Sequence, residues 1–254
     1  MTGRVARVRN DLGLYDDLAE QWWRTDGVFA MLHWLAAARA ALIPPAASDD
    51  AVLVDLGCGG GLLAAPVTGK GYRHIGVDLV SSALQVAREH GVWPVRGDAT
   101  AVPLADGCAD VVSAGELLEH VRQPRQVLAE ACRLLRPGGL LVLDTIAATA
   151  VARFVAVTVA ERVPGGAPRG IHDPALFVPP RLVVDECVRH GVDVRIRGIR
   201  PEARGFVRWL ATRRGAVRMV PAFSAAILYQ AYGRKAGNPR AGTVWDNTDP
   251  REAR

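Results

Sequence analysis

Short apolar runs of strand length alternate with stretches of helical periodicity between residues 51 and 146. AVLVDLG (51–57), RHIGVDL (73–79), VWPVRGD (92–98), ADVVSAGE (109–116) and LLVLDTI (140–146) are the predicted strands. GGLLAAPVTGKG reads as a short helix and turn. SSALQVAREHG reads as a helix, with Ser81 or Ser82 as its N-cap and Gly91 just past its end. PRQVLAEACRLLRPGG is an amphipathic helix closed by a Pro-Gly-Gly turn. This alternation predicts an α/β fold, an open parallel sheet with helices on both faces. Ligands bind such sheets beyond the carboxyl ends of the strands. Four of those ends carry an acid: Asp55, Asp78, Asp98 and Glu116.

The flanks follow other patterns. Residues 14–23 and 28–43 read as two helices, stopped by Pro44-Pro45, and form an N-terminal helical cap over 1–45. After the fifth strand the alternation breaks. An apolar helical stretch and a Gly/Pro loop (147–175) read as an insertion covering the site. PPRLVVDECVRHG then gives a helix, VDVRIRGIR a strand, and AFSAAILYQAYGRK a last, antiparallel strand. The main domain is expected over 46–235, followed by a polar, frayed tail over 236–254.

Composition narrows the function. At 254 residues, half of them hydrophobic, the chain fits one domain with a large core. The net charge is +5, but the basic residues are scattered arginines, with only Lys70 and Lys235 as lysines. No basic stripe with interleaved aromatics points to nucleic acid. Cys58, Cys108, Cys132 and Cys187 have no CxxC spacing, which argues against a cysteine zinc site. The N-terminus lacks an apolar signal core, and no apolar run approaches the ~18 residues of a membrane span. The expected location is the cytoplasm.

The loop VDLGCGGG (54–61) lies between a strand and a helix. A dinucleotide loop wants G-x-G-x-x-G. Here Gly57-x-Gly59-x-Gly61 is followed by Leu62, and Asp55 stands two residues before the first glycine. A carboxylate there opposes a pyrophosphate and suits a cationic ligand. S-adenosylmethionine, with its sulfonium and amino groups, is such a ligand. Asp78 follows Gly61 by 17 residues, near the ~20 expected for a ribose acceptor. Asp98 and Ala99 are placed to meet the adenine, with Leu79 beside Asp78.

VDLGCGGG, GVD, GDA and LLRPGG together resemble class I methyltransferases over residues 50–146. LAEQWWRTDGVFAMLHWLAAARAALI, GVDLVSSALQVAREH, ELLEHVRQP and VPGGAPRGIHDPALFVPP extend the likeness. Over residues 15–182 the chain is similar to the O-methyltransferases of ubiquinone biosynthesis, which methylate hydroxyls on polyprenylated catechols and phenols. The C-terminal GIRPEARGFVRWLATRRG departs from that pattern. The resemblance implies a seven-stranded, mostly parallel Rossmann-like sheet. It implies cofactor contacts from Arg39, Gly57, Asp78 and Gly115, alongside Asp55, Gly59, Leu79, Asp98 and Ala99 from the loop reading. Arg39 suits the methionine carboxylate.

The stretch GELLEHV (115–121) carries the candidate chemistry. If it is helical, Glu116, Glu119 and His120 share one face. In one reading the three bind a divalent cation such as magnesium, which lowers the pKa of a catechol hydroxyl; the family resemblance also implies metal dependence here. In a second, His120, with Glu119, is the metal-free acid–base group. In a third, the residues are structural. Trp22-Trp23 read either as a site lid or as a core anchor, and His172-Asp173 as acceptor-pocket or loop residues. The apolar stretch 150–163 reads as a buried lid or as a peripheral membrane contact for a lipidic acceptor. The expected activity is O-methyl transfer to a phenol or catechol of a quinone precursor or other small aromatic. Carbon or nitrogen methylation and a non-catalytic S-adenosylmethionine-binding scaffold are the other readings.

Overall fold

The computed structural model describes residues 10, 11, 13–162 and 167–237. The core elements are β1 (Val52–Leu56), α3 (Ala64–Val67), β2 (Arg73–Asp78), α4 (Ser81–Glu89), β3 (Trp93–Arg96), β4 (Ala109–Gly115), α5 (Pro124–Leu134) and β5 (Leu135–Ile146). Before them come α1 (Gly13–Asp17) and α2 (Ala30–Ala40). After them come α6 (Ala150–Arg153), which continues as a π-helical turn over Phe154–Ala160, then α7 (Pro180–Arg189) and β6 (Val192–Pro201). The chain ends with α8 (Ala203–Thr212), β7 (Met219–Pro221) and β8 (Leu228–Lys235).

One sheet runs in the order β3-β2-β1-β4-β5-β8-β6-β7. The five strands β1 to β5 are parallel, and β8 enters antiparallel between β5 and β6. Leu53, Val54 and Leu56 of β1 and Leu141, Val142 and Leu143 of β5 are buried. Helices cover both faces, so these strands read as continuous apolar runs rather than alternating ones. The sheet has eight strands rather than the expected seven. The added strand, β7, pairs with the far end of β6 through Ile199 and Pro221. It is short and ends in Pro221, which blunts the edge against further pairing.

Local boundaries differ from the periodic reading for physical reasons. The helix expected over 14–23 is only α1 plus a 3-10 turn at Ala19–Gln21, because Trp22 turns inward to bury its ring. The helix expected over 28–43 ends at Ala40, before the prolines. Neither Ser81 nor Ser82 caps α4. The Asp78 Oδ1 accepts the Val80 N–H at 2.9 Å, and the Ser82 hydroxyl bonds Asp16 instead. Gly91 does follow the helix, with φ 83°. The Pro-Gly-Gly segment is not a free turn. β5 begins at Leu135, and residues 136–139 bulge between the pairs Ala109–Leu135 and Val111–Leu140.

The segment that departs from the family pattern forms α8. Its N-terminus is capped by Glu202, whose carboxylate accepts the N–H groups of Arg204 and Gly205. Trp209 of α8 packs edge-on against Trp34 of α2, with ring centroids 5.0 Å apart. The C-terminal departure thus braces the helical cap from behind. From residue 238 onward the expected tail lies outside the described residues, as do 163–166 of the insertion and 1–9 of the cap.

Candidate active site

The loop after β1 is built by three residues in the left-handed region: Gly57 (φ 64°), Gly59 (51°) and Gly61 (76°). Space fixes them as glycine a second time. A Cβ at Gly57 would lie 2.8 Å from the Leu117 side chain, and one at Gly59 would lie 2.5 Å from the Trp22 ring. Gly60, with negative φ, would meet the same ring at 2.5 Å. The departure from G-x-G-x-x-G therefore has a cause. The loop is shaped to pack against an indole. Trp22 stacks in turn on Phe29, with centroids 4.4 Å apart, and faces Tyr15 at 5.8 Å. Trp22 is both core anchor and cavity wall.

Asp78 at the end of β2 holds this loop. Its Oδ2 accepts the Gly59 N–H at 2.9 Å while Oδ1 accepts that of Val80. A carboxylate has about four lone-pair sites, so acceptor capacity remains for a diol. Burial is the main cause that raises its pKa, offset in part by those backbone bonds. Leu79, 45% exposed, and buried Ala99 line the same cavity. Asp98 also lines it, with Oδ1 committed to the Thr100 amide and hydroxyl.

On the other side of the loop, Arg39 reaches from α2 to the end of β5. Its Nη1 donates to Asp144 Oδ1 at 2.7 Å, and both residues are buried. The guanidinium lies on Gly115, where a Cβ would overlap its carbon. Burial works against the charge of Arg39, but Asp144, Asp55 and Glu116 outweigh it and raise the pKa. Its Nε–H has no acceptor among the described residues. Asp55 is buried, with Oδ2 3.8 Å from Nε2 of His74.

GELLEHV is not one helix. Gly115 ends β4, and Glu116 adopts φ 50°, unusual for a residue with a Cβ. Leu118–His120 then form a 3-10 turn. The i, i+3, i+4 face of an α-helix therefore does not form. Glu116 lines the cavity. Glu119 lies behind the wall, fully buried, with Oε2 accepting the Thr145 hydroxyl at 2.7 Å. Burial, Glu119 and Asp144 push the Glu116 pKa well up. His120 lines the cavity on another side, its ring 5.8 Å from that of His172 and nearly parallel. The expected metal set of Glu116, Glu119 and His120 is thus not assembled. Among the described residues no group of three His, Cys, Asp or Glu is placed to hold a metal ion. Glu119, expected as a catalytic group, is not among the residues that line the cavity.

Among the described residues the His120 ring has one hydrogen-bond partner, Asn10. Burial and the neighbouring His172 push its pKa down to about 3, so the imidazole is neutral near pH 7. The insertion forms the facing wall, with Ile171, His172, Asp173 and Leu176 at the cavity. Glu161 organises it, accepting the Gly170 N–H at 3.0 Å and approaching Nδ1 of His172 at 3.7 Å. These elements enclose about 640 Å³, within the usual size of a small-molecule site. The cavity has a polar end of glycine loop, Asp55, Asp78 and Arg39, and an aromatic and aliphatic end containing His120.

The sequence reading missed Asp144, Asn10 and Tyr15. Asp144 had a visible signal, an acid near the end of an apolar strand like Asp55 and Asp78. Asn10 had none, because nothing in a polar N-terminal segment foretells contact with a residue 110 positions away.

The residues fit S-adenosylmethionine. The unpartnered Arg39 Nε–H is a ready donor for a carboxylate. The acids at the strand ends suit its cationic groups, and Asp78 suits its ribose diol.

Comparison with known proteins agrees. A methyltransferase-domain family model matches residues 54–143. The ubiquinone biosynthesis O-methyltransferase of Paracidovorax citrulli is 33% identical, over 72% of this chain and 81% of that relative. The protein of the same name from Burkholderia pseudomallei is 34% identical, over 82% of this chain and 97% of its own length. Among solved structures, an S-adenosylmethionine-dependent methyltransferase from Thermotoga maritima superposes with a TM-score of 0.62 at 18% identity. It covers 87% of this chain and 96% of its own. That likeness concerns the fold. With the glycine loop, the strand-end acids and these relatives together, the chain belongs to the S-adenosylmethionine-dependent methyltransferases of the ubiquinone biosynthesis O-methyltransferase family.

Proposed function

We propose that this methyltransferase transfers the methyl group to a hydroxyl of a catechol or phenol, and that Nε2 of His120 receives the hydroxyl proton. The observation that supports this best is His120 itself: a neutral imidazole at the cavity with Nδ1 already engaged by Asn10. The curated relatives, named as ubiquinone biosynthesis O-methyltransferases, point to the same acceptor class.

When bound, S-adenosylmethionine supplies an electrophilic methyl carbon on a sulfonium. Arg39 would hold its carboxylate, Asp78 its ribose, and Asp98, Ala99 and Leu79 its adenine. Gly57, Gly59 and Gly115 make room for Leu117, Trp22 and Arg39 to pack at the cofactor end of the cavity, and Asp55 faces the cationic end of the ligand. The acceptor lies between His120 and the insertion wall. The hydroxyl oxygen would take the methyl group that S-adenosylmethionine supplies, S-adenosylhomocysteine would leave with the carbon–sulfur pair, and the hydroxyl proton would pass to Nε2 of His120. A hydroxyl already bonding to carbon is far more acidic than a free phenol. A weakly basic imidazole therefore takes its proton late in the attack. Positioning of the two reactants carries most of the effect, and a placed base adds about 10²–10⁴-fold.

The acceptor is read as lipidic, reached from a membrane surface. Val151, Phe154 and Val159 of the insertion are 44%, 59% and 40% exposed, beside Arg153 and Arg162. Among the described residues no helix is long and apolar enough to cross a membrane, so the contact is peripheral.

The test is methyl transfer from labelled S-adenosylmethionine to short-chain and prenylated catechols, with magnesium and with excess chelator. Chelator-resistant O-methyl product is expected. Product lost on chelation would restore a metal ion to the account and remove His120 as the sole proton acceptor. Methylation of amine or carbon acceptors alone would overturn the assignment.

A further inference from the structure

The contact between Asn10 and His120 has two parts. The Asn10 side-chain NH₂ donates to the backbone carbonyl of His120 at 2.8 Å, and its Oδ1 lies 2.7 Å from Nδ1 of the ring. A carbonyl cannot donate, so the amide must turn its nitrogen there. That leaves Oδ1 facing the ring, and Oδ1 is only an acceptor. Nδ1 must then carry the hydrogen, and Nε2 the lone pair. Nε2 has no protein partner among the described residues, on a ring that lines the cavity.

Asn10 is itself held in place. It adopts φ 60°, a left-handed conformation that asparagine tolerates better than most residues. Its N–H donates to the Gly170 carbonyl at 2.9 Å. Gly170 is anchored in turn by Glu161 at the end of the insertion helix. One short segment thus joins the N-terminal cap, the insertion and the proton-accepting ring.

We propose that Asn10 is a positioning residue that fixes His120 as the Nδ1–H tautomer, aiming the Nε2 lone pair at the acceptor hydroxyl. The inference rests on the reading of His120 as proton acceptor. The logic is that of a third group orienting the base of a hydrolase triad, here with a neutral amide. It also gives the insertion a role in catalysis, because Gly170 sets the position of Asn10.

The test separates tautomer from turnover. Long-range ¹H–¹⁵N spectra of the full chain with S-adenosylhomocysteine report which ring nitrogen carries hydrogen, and His120→Gln identifies the signals. Wild type should show a single species with hydrogen on Nδ1. Asn10→Ala should show mixed tautomers, and Asn10→Asp, which keeps an acceptor at Nδ1, should restore the single one. On the catechol probes above, Asn10→Ala should lower kcat roughly 10- to 100-fold, a share of what a placed base contributes, with the KM for S-adenosylmethionine little changed. Asn10→Asp should recover most of that loss. Hydrogen on Nε2 in wild type overturns the inference. So does an Asn10→Ala variant whose only change is lower thermal stability. His120→Gln with undiminished kcat would instead overturn the proton-acceptor reading, and with it the catalytic role of Asn10, while the spectra still decide the tautomer lock.

Discussion

Arg39 and Asp144 meet at 2.7 Å over the face of Gly115, on a strand end that has no room for a side chain. The pair is buried, and Arg39 offsets only part of the cost of burying Asp144, whose pKa stays raised by desolvation. The same guanidinium is the donor proposed above for the cofactor carboxylate. Gly115 is therefore a glycine for the sake of Arg39, since its own backbone is extended at the end of β4.

Gly115→Ala should displace Arg39 and strand Asp144. Breaking a buried pair costs about 3–5 kcal/mol, part of which relaxation recovers. Calorimetric titration with S-adenosylhomocysteine should show affinity weakened by at least about tenfold, equivalent to ~1.4 kcal/mol, together with a lower Tm. Wild-type affinity in this variant would show that Arg39 does not bind the cofactor.

Trp22 tests the loop from the other side. Its ring fills the space that side chains would take at Gly59 and Gly60, and it stacks on Phe29. Trp22→Ala opens a cavity directly under the cofactor loop. Truncating a buried tryptophan costs about 3–5 kcal/mol, readable as a reduced urea midpoint. Cofactor affinity should fall as well, because the loop loses its floor. Trp22→Phe keeps a ring and should recover most of both losses. If stability drops while affinity holds, Trp22 is a core anchor alone.

The parallel half of the sheet was legible because β1, β2, β4 and β5 each carry a short run rich in apolar residues, bounded by turn residues. The glycine loop was legible with it, since Gly57, Gly59 and Gly61 follow β1 and Asp78 closes β2. The eighth strand was not, because Met219–Pro221 is too short to show a period. The GELLEHV geometry was also hidden. Whether Glu116 continues a strand or opens a helix depends on a φ of 50°, which is set by packing of Leu118 and by the Asp144 carbonyl that accepts the Glu116 N–H. The 3-10 turn that follows sends Glu119 inward and His120 to the cavity. Spacing alone could not separate them.

His120 makes a prediction about pH. Its folded pKa, about 3, lies below the ordinary 6.5. As pH falls from 6.5 toward 3, the unfolded chain takes a proton there that the folded chain refuses. Protonation then favours unfolding, so the contribution of His120 to stability is present above pH 6.5 and lost on acidification. His120→Gln removes this group. Denaturant midpoints of wild type and variant, compared between pH 7.5 and 4.5, should show wild type losing more stability than the variant. A difference that stays constant with pH would mean that the ring titrates normally in the fold.

The insertion gives the last prediction. Phe154 and Val151 stand on one side of the α6 and π-helical segment, with Val159 near its end, while Ala152 and Ala156 are buried against the body. A π-helical turn lets the segment keep its inner face packed while an apolar strip stays outside. Burying apolar surface contributes about 25 cal/mol per Å², so three such side chains supply only weak, reversible attachment. Arg153 and Arg162 add attraction to anionic headgroups, about 1 kcal/mol each near the surface. The protein should therefore co-sediment with vesicles containing phosphatidylglycerol, and less with pure phosphatidylcholine. Phe154→Ser should reduce binding severalfold while kcat on a short-chain catechol stays unchanged, because the side chain points away from the cavity wall. Equal binding by both lipid compositions would remove the two arginines from the contact, and binding by neither would remove the membrane from the route by which the acceptor arrives.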